Sequence, residues 1–242
     1  MSTYQPTEPL VAVSDEPRER WAIGDFSSHA RLWGCAVVGL VADLWTKDWA
    51  FREIGPHETR TLIPNLASLQ LSLNPGALFG LGAGLAPIFV GASALALMFV
   101  LYLFAHSTRS RRSMHIALGL VLAGAIGNLY DRTTQNAYVA SYSNRGRIIG
   151  TLLEEDPNGR IKIGDFPTGA NAQWMDRPSD PRSGPQPVVR DFIKIEARIG
   201  DFSLWPWIFN IADALLVVGV AMLLLNFWFD HKHHPREEPT AP

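Results

Sequence analysis

Asp213 lies within the run W-P-W-I-F-N-I-A-D-A-L-L-V-V-G-V-A-M-L-L-L-N-F-W-F, residues 205–229, three positions after Asn210 and otherwise among apolar side chains. An ionised carboxylate in hydrocarbon is unfavourable by roughly 3 kcal/mol on insertion scales, so an aspartate in such a segment points first to a functional site. One carboxylate can relay a proton. Two sharing a site can do more, because they cannot both ionise easily. One then keeps a proton and polarises a carbonyl, while the other acts as base on a water. Other chemistries lack their residues: the chain holds no G-x-S-x-G and no H-E-x-x-H, and Cys35 is its only cysteine. His57, His106 and His115 are scattered, and His231, His233 and His234 sit in a polar tail. No metal site is expected.

Such residues need elements to bring them together. Four hydrophobic segments, roughly 32–49, 85–106, 113–131 and 207–229, are each long enough to cross a ~30 Å hydrocarbon core at 1.5 Å per residue. Polar tails and a polar insert dilute them, so the mean hydropathy is near zero at +0.05. A net charge of −2 gives no reason to expect nucleic acid as a partner. Arg109, Arg111 and Arg112 lie in the short loop after the second segment, Arg18, Arg20 and Arg31 precede the first, and Lys232 and Arg236 follow the last. Short basic loops stay cytoplasmic, which puts both termini inside and the segments 50–84 and 132–206 outside. The expected organisation is a flexible cytoplasmic tail over 1–30, a membrane domain over 31–132 and 188–230, an extracytoplasmic insert over 133–187, and a second cytoplasmic tail over 231–242.

With that topology the polar residues share one face. Asp43 and Lys47 end the first span, Asn74 precedes the second, Asn128, Asp131 and Arg132 end the third, and Asn210 and Asp213 begin the fourth. The spacings of three and four put each pair on one helix face. Gly119, Ala123 and Gly127 form a ridge of small residues that lets the third span pack closely on a neighbour. Purely structural ties through buried hydrogen bonds fit Asp43/Lys47 and Asn128/Asp131/Arg132 equally well; they fit Asp213, without an adjacent cation, less well. Asp191, in V-V-R-D-F-I-K-I, reads alone as a surface carboxylate and gains interest from proximity to Asp213 at the same face.

Outside the membrane, Leu69, Leu71 and Leu73 alternate with polar residues, so a small sheet is expected within about 50–75, with Asn74-Pro75-Gly76 turning the chain into the second span. Residues 147–166 read as two strands around an Asp156-Pro157-Asn158-Gly159 turn. Residues 176–187 are too proline-rich for helix or sheet and are expected to be extended or mobile. The fold class is therefore an all-α membrane core of four transmembrane helices, with a small extracytoplasmic β-sheet and a β-hairpin-containing insert.

Five blocks in this order resemble the lipoprotein signal peptidase (signal peptidase II) family: D-L-W-T-K (43–47), N-P-G-A-L-F (74–79), G-N-L-Y-D-R (127–132), V-R-D-F-I (189–193) and F-N-I-A-D (209–213). The likeness covers roughly residues 32–132 and 188–229. It implies an aspartyl endopeptidase of the bacterial cytoplasmic membrane, multi-pass, with its site near the outer face. Its substrates would be diacylglyceryl-modified prolipoproteins, cut before the lipidated cysteine. By the same resemblance the catalytic pair is Asp191 and Asp213. Asp43, Lys47, Asn74, Gly76, Asn128, Asp131, Arg132 and Asn210 shape the site or hold substrate. Neither cofactor nor metal is implied, membrane lipid is the surrounding partner, and a monomer is expected. The family places only a short link between its third and fourth blocks, whereas residues 133–190 intervene here. G-D-F occurs at Asp165 and again at Asp201, so either could replace Asp191 in the pair; Asp191 is favoured by the preceding Val188-Val189, the following Ile193 and its distance from Asp213. A non-catalytic lipoprotein-binding homologue and a small proton-coupled transporter are the alternatives.

Overall fold

A computed structural model describes residues 20–76 and 86–233. Most of the expected 1–30 tail, residues 77–79 of the second block and most of the 231–242 tail fall outside these. Four long helices form: α1 (Phe26–Glu53), α2 (Ala86–Ala105), α3 (Arg112–Thr134) and α4 (Ile211–His233). Arg112–Thr134 and Ile211–Asp230 are long and apolar enough to cross a membrane. Val218, Leu224 and Leu225 on α4 and Val37, Val38 and Val41 on α1 remain exposed, an apolar surface that water alone does not favour.

The central helix is α3, which packs against the other three and is buried along most of its length. Its ridge of small residues meets α1 position by position. A side chain at Gly119 would come within 2.8 Å of Cys35 Cβ, and one at Gly127 would collide with the Asp43 carboxylate. Between them, Ala123 Cβ lies against Gly39. Close approach of two backbones is what small residues permit, and here it brings Asp43 beside the C-terminal part of α3.

The strands are β1 (Thr59–Ile63), β2 (Ala67–Asn74), β3 (Asn136–Tyr142), β4 (Gly146–Glu155), β5 (Ile161–Asp165), β6 (Ala170–Met175), β7 (Gly184–Pro187), β8 (Val189–Ile195), β9 (Arg198–Ile199), β10 (Phe202–Ser203) and β11 (Ile208–Phe209). One antiparallel sheet has the order β1-β2-β8-β11, so the sheet expected within 50–75 also recruits chain from beside α4. Ser72 faces Asp191 and Asn74 faces Val189 across it. A bulge between Leu69 and Ser72 changes the register. Leu69 and Leu71 consequently pack with Ala50, Ile54 and Phe192, while Leu73 faces the cavity described below.

The insert is a second sheet, in the order β6-β5-β4-β3-β7. Its entry and exit strands pair, Asn136 opposite Pro187, and Val188 N–H donates to Gln135 O at 3.0 Å. The chain thus leaves the core and returns to it at one point. Two expectations need correction. The proline-rich stretch holds strand β7, because β7 is an edge strand where a missing N–H leaves no ladder bond unmade. The last part of the expected N-terminal tail is structured: Ala22–Gly24 forms a 3-10 turn, Ala22 N–H donates to Ser107 O at 2.9 Å, and Asp25 caps α1 by accepting from Ser28 N–H at 2.8 Å.

Candidate active site

The N-I-A-D sequence at the start of α4 folds as a capping box. Asn210 Oδ1 accepts from Asp213 N–H at 3.0 Å, and Asp213 Oδ2 accepts from Asn210 N–H at 3.3 Å. Their spacing of three therefore serves the helix terminus, and Asp213 stands in the first turn of α4 rather than at its middle. Its other oxygen accepts from Asn128 Nδ2 at 2.8 Å. Asn210, fully buried, turns its amide the other way and donates to Asp191 Oδ1 at 2.7 Å and to Asn128 Oδ1 at 3.2 Å. Two asparagines thus tie a carboxylate on strand β8 to one on helix α4.

Both carboxylates line a cavity of about 670 Å³, together with Asn74, Asn128 and Arg132. Apolar side chains make up much of the remaining wall, among them Leu73, Val189, Trp205, Trp207, Leu216 and Val217. Asp191 is 2 % exposed. Burial, reinforced by the charge of Asp213, pushes its pKa up to about 8, against the opposing hydrogen bonds of Asn210 and Asn74. Asp191 therefore holds a proton at neutral pH. Gly76 does not reach the cavity; its N–H donates to Asn74 Oδ1 at 3.0 Å and so fixes that amide.

Asp43, Lys47 and Asp131 lie behind the cavity rather than in its wall. Lys47 Nζ sits 2.7 Å from Asp43 Oδ2 and 3.4 Å from Asp131 Oδ2, and it donates to Asn128 Oδ1 at 3.2 Å. All three charged side chains are fully buried. Asp43 Oδ1 accepts from Ala212 N–H at 2.8 Å, so a side chain of α1 caps the first turn of α4. Asp131 accepts from Arg190 Nη2 at 2.9 Å, from Arg190 Nε at 3.2 Å and from its backbone N–H at 2.9 Å. Arg190 also pairs with Asp48.

Arg190 is the residue that sequence reasoning missed. The signal was present: alternation along a strand turns neighbours to opposite faces, so if Asp191 faces the cavity, Arg190 must face away, toward α3. Asp165 and Asp201 do not join the site. Asp165 ends β5 and lies 3.7 Å from His57 Nε2, and its Oδ2 accepts from Asn171 Nδ2 at 2.7 Å. Asp201 is exposed in the turn between β9 and β10. Among the described residues, no cluster of histidine, cysteine and carboxylate side chains is placed to hold a metal.

Comparison with known proteins gives a consistent picture. The family model described as signal peptidase (SPase) II matches residues 35–229. A lipoprotein signal peptidase of Rhodopirellula baltica is 31% identical over 203 residues, covering 82% of this chain and 71% of that protein. One from Desulfitobacterium hafniense is 26% identical over 181 residues, covering 75% of this chain and 82% of that protein. A solved bacterial membrane enzyme superposes with a TM-score of 0.57 at 21% identity, covering 91% of this chain and 97% of that structure. A second gives a TM-score of 0.54 over 86% of this chain and 96% of its own. At that identity the likeness is one of fold.

Proposed function

The chain belongs to the signal peptidase II family, and from that premise we propose that it is an aspartyl endopeptidase that removes the signal peptide from diacylglyceryl-modified prolipoproteins, with Asp191 and Asp213 as its catalytic pair. The observation that carries this reading is the convergence of the two carboxylates on one cavity, bridged by Asn210 and Asn128. In this mechanism Asp213 takes a proton from a water whose oxygen attacks the scissile carbonyl carbon. The proton on Asp191 hydrogen-bonds to the carbonyl oxygen as negative charge develops there. Collapse of the tetrahedral intermediate breaks the C–N bond, and a proton from the pair passes to the departing amine of the lipidated cysteine.

The remaining polar residues then divide by position. Asn74 and Arg132, in the wall, hold the substrate backbone; Asn128 and Asn210 orient the carboxylates; Asp43, Lys47, Asp131 and Gly76 brace those groups from behind. All four helices cross the cytoplasmic membrane of a bacterium in this reading, with both termini inside. The apolar exposure of α1 and α4 supports that arrangement. So does the capping of α4 at the level of the cavity, since a helix must satisfy its terminal N–H groups where hydrocarbon gives way to polar surroundings.

The test is cleavage of a diacylglyceryl-modified precursor by purified protein in detergent. Asp191→Asn and Asp213→Asn are each expected to lose about 10²- to 10⁴-fold in kcat, with Asp165→Asn and Asp201→Asn near wild type. Activity that survives Asp191→Asn but not Asp165→Asn would overturn the assignment of the pair. A well-folded wild type that binds the precursor without cutting it would favour the non-catalytic homologue.

A further inference from the structure

The insert does not stand clear of the active site. Its strand β4 contributes Arg147 and Ile149 to the wall of the cavity that holds Asp191 and Asp213. Positions two apart on a strand share a face, so these side chains reach the cavity together while the intervening Ile148 turns away. The β3–β4 turn is cationic, with Arg145 and Arg147 on either side of Gly146, which takes φ +74. Arg147 is exposed, a rim position rather than a buried one.

The cavity wall joins two kinds of element: α4, with Leu216 and Val217 one turn further along the apolar helix than Asp213, and β4, which the chain enters only after α3 has ended at Thr134. Resting on the peptidase reading above, we infer that β4 reads the part of the substrate that leaves the membrane. Arg147 and Ile149 flank the first residues of the mature chain after the lipidated cysteine, and Arg147 selects an acidic side chain there. Apart from Asp213 itself, the helix-side wall has no charged residue beyond Arg132 and suits the apolar part of the substrate; the insert side suits a polar, extended peptide. The insert is then the determinant of which precursors are cut efficiently, while the pair of carboxylates determines the chemistry.

A charge-swap experiment tests this. Two diacylglyceryl-modified precursors, identical except for Asp or Lys at the two positions after the cysteine, are cut by purified full-length protein, with Asp191→Asn as the inactive control. Wild type is expected to favour the acidic precursor by about five-fold in kcat/KM, the upper range for a partly exposed ion pair. Arg147→Gln brings the ratio near one, and Arg147→Glu reverses it. Equal cleavage of both precursors by wild type, or an equal loss on both in Arg147→Glu, overturns the inference and leaves the peptidase reading intact. An Arg147→Glu effect that follows the phosphatidylglycerol content of the micelle instead of the precursor's charge assigns Arg147 to lipid and overturns it as well. Failure of wild type to cut either precursor removes the peptidase reading, and this inference with it.

Discussion

Asp191 and Asp213 reach the cavity from different kinds of backbone, a strand and the first turn of a helix, and this difference governs what fixes them. Asp191 is held in apolar surroundings with its pKa near 8, so its proton is retained through neutrality. If that proton serves the reaction, kcat/KM falls on the alkaline side with an apparent pKa near 8, and a pH–rate profile checks it. Stability follows the same linkage. The folded pKa lies above the unfolded value near 4, so the folded state binds the proton more tightly. Stability from this group is thus fully present below the unfolded value and is lost progressively as pH rises toward 8. Asp191→Asn is therefore expected to raise the melting temperature at pH 8 by a few degrees and to change it little at pH 5 while abolishing activity, as thermal melts at the two pH values would reveal. The carboxylates and amides were legible as residue types. Their division of labour was not, because N-x-x-D satisfies both a same-face spacing and a capping box, and only backbone geometry separates the two.

At the scale of elements, a chain of buried charges links α1, α3 and β8: Asp43, Lys47, Asp131 and Arg190 in turn. Asp131 accepts from Arg190 and forms an ion pair with Lys47, so its removal leaves buried positive charge without its counter-charge. Asp131→Leu is expected to destabilise the protein by about 3–5 kcal/mol. The double variant Asp131→Leu, Arg190→Met should recover part of this loss, because the second substitution removes the stranded cation. Equilibrium unfolding in mixed micelles would measure both, and a double variant no better than the single one would count against the account. The helices themselves were legible from apolar length, and the close packing of α3 on some neighbour from the Gly119–Ala123–Gly127 spacing, though not that the neighbour is α1. Arg190 was hidden within a recognised block, where attention fell on its neighbour. The two-residue strands β9, β10 and β11 are too short for periodicity to betray. Strand β7 was masked by prolines that its edge position tolerates.

For the whole molecule, the proposed topology sets the catalytic cavity and all the strands, those of the insert included, on one side, with the α2–α3 loop on the other. Cys35 is the only cysteine, so a Cys35→Ala background allows single-site labelling. Ser143→Cys, in the β3–β4 turn, is expected to react with a membrane-impermeant maleimide in spheroplasts. Ser110→Cys should react only after lysis, and the opposite pattern would invert the topology. The expected outer placement of the insert rests on the basic residues of the short loop at 109–112 and of the two tails; its return to the core was not legible, since no local sequence signal announces that residues 135 and 188 will meet. That meeting has an evolutionary consequence. A segment whose two ends are fastened to each other at the core's edge can be exchanged, lengthened or lost without disturbing how the helices fit. On the inference drawn for β4, variation in the insert can act on the choice of cargo independently of the machinery that cuts it, so the one can be retuned while the other stays fixed.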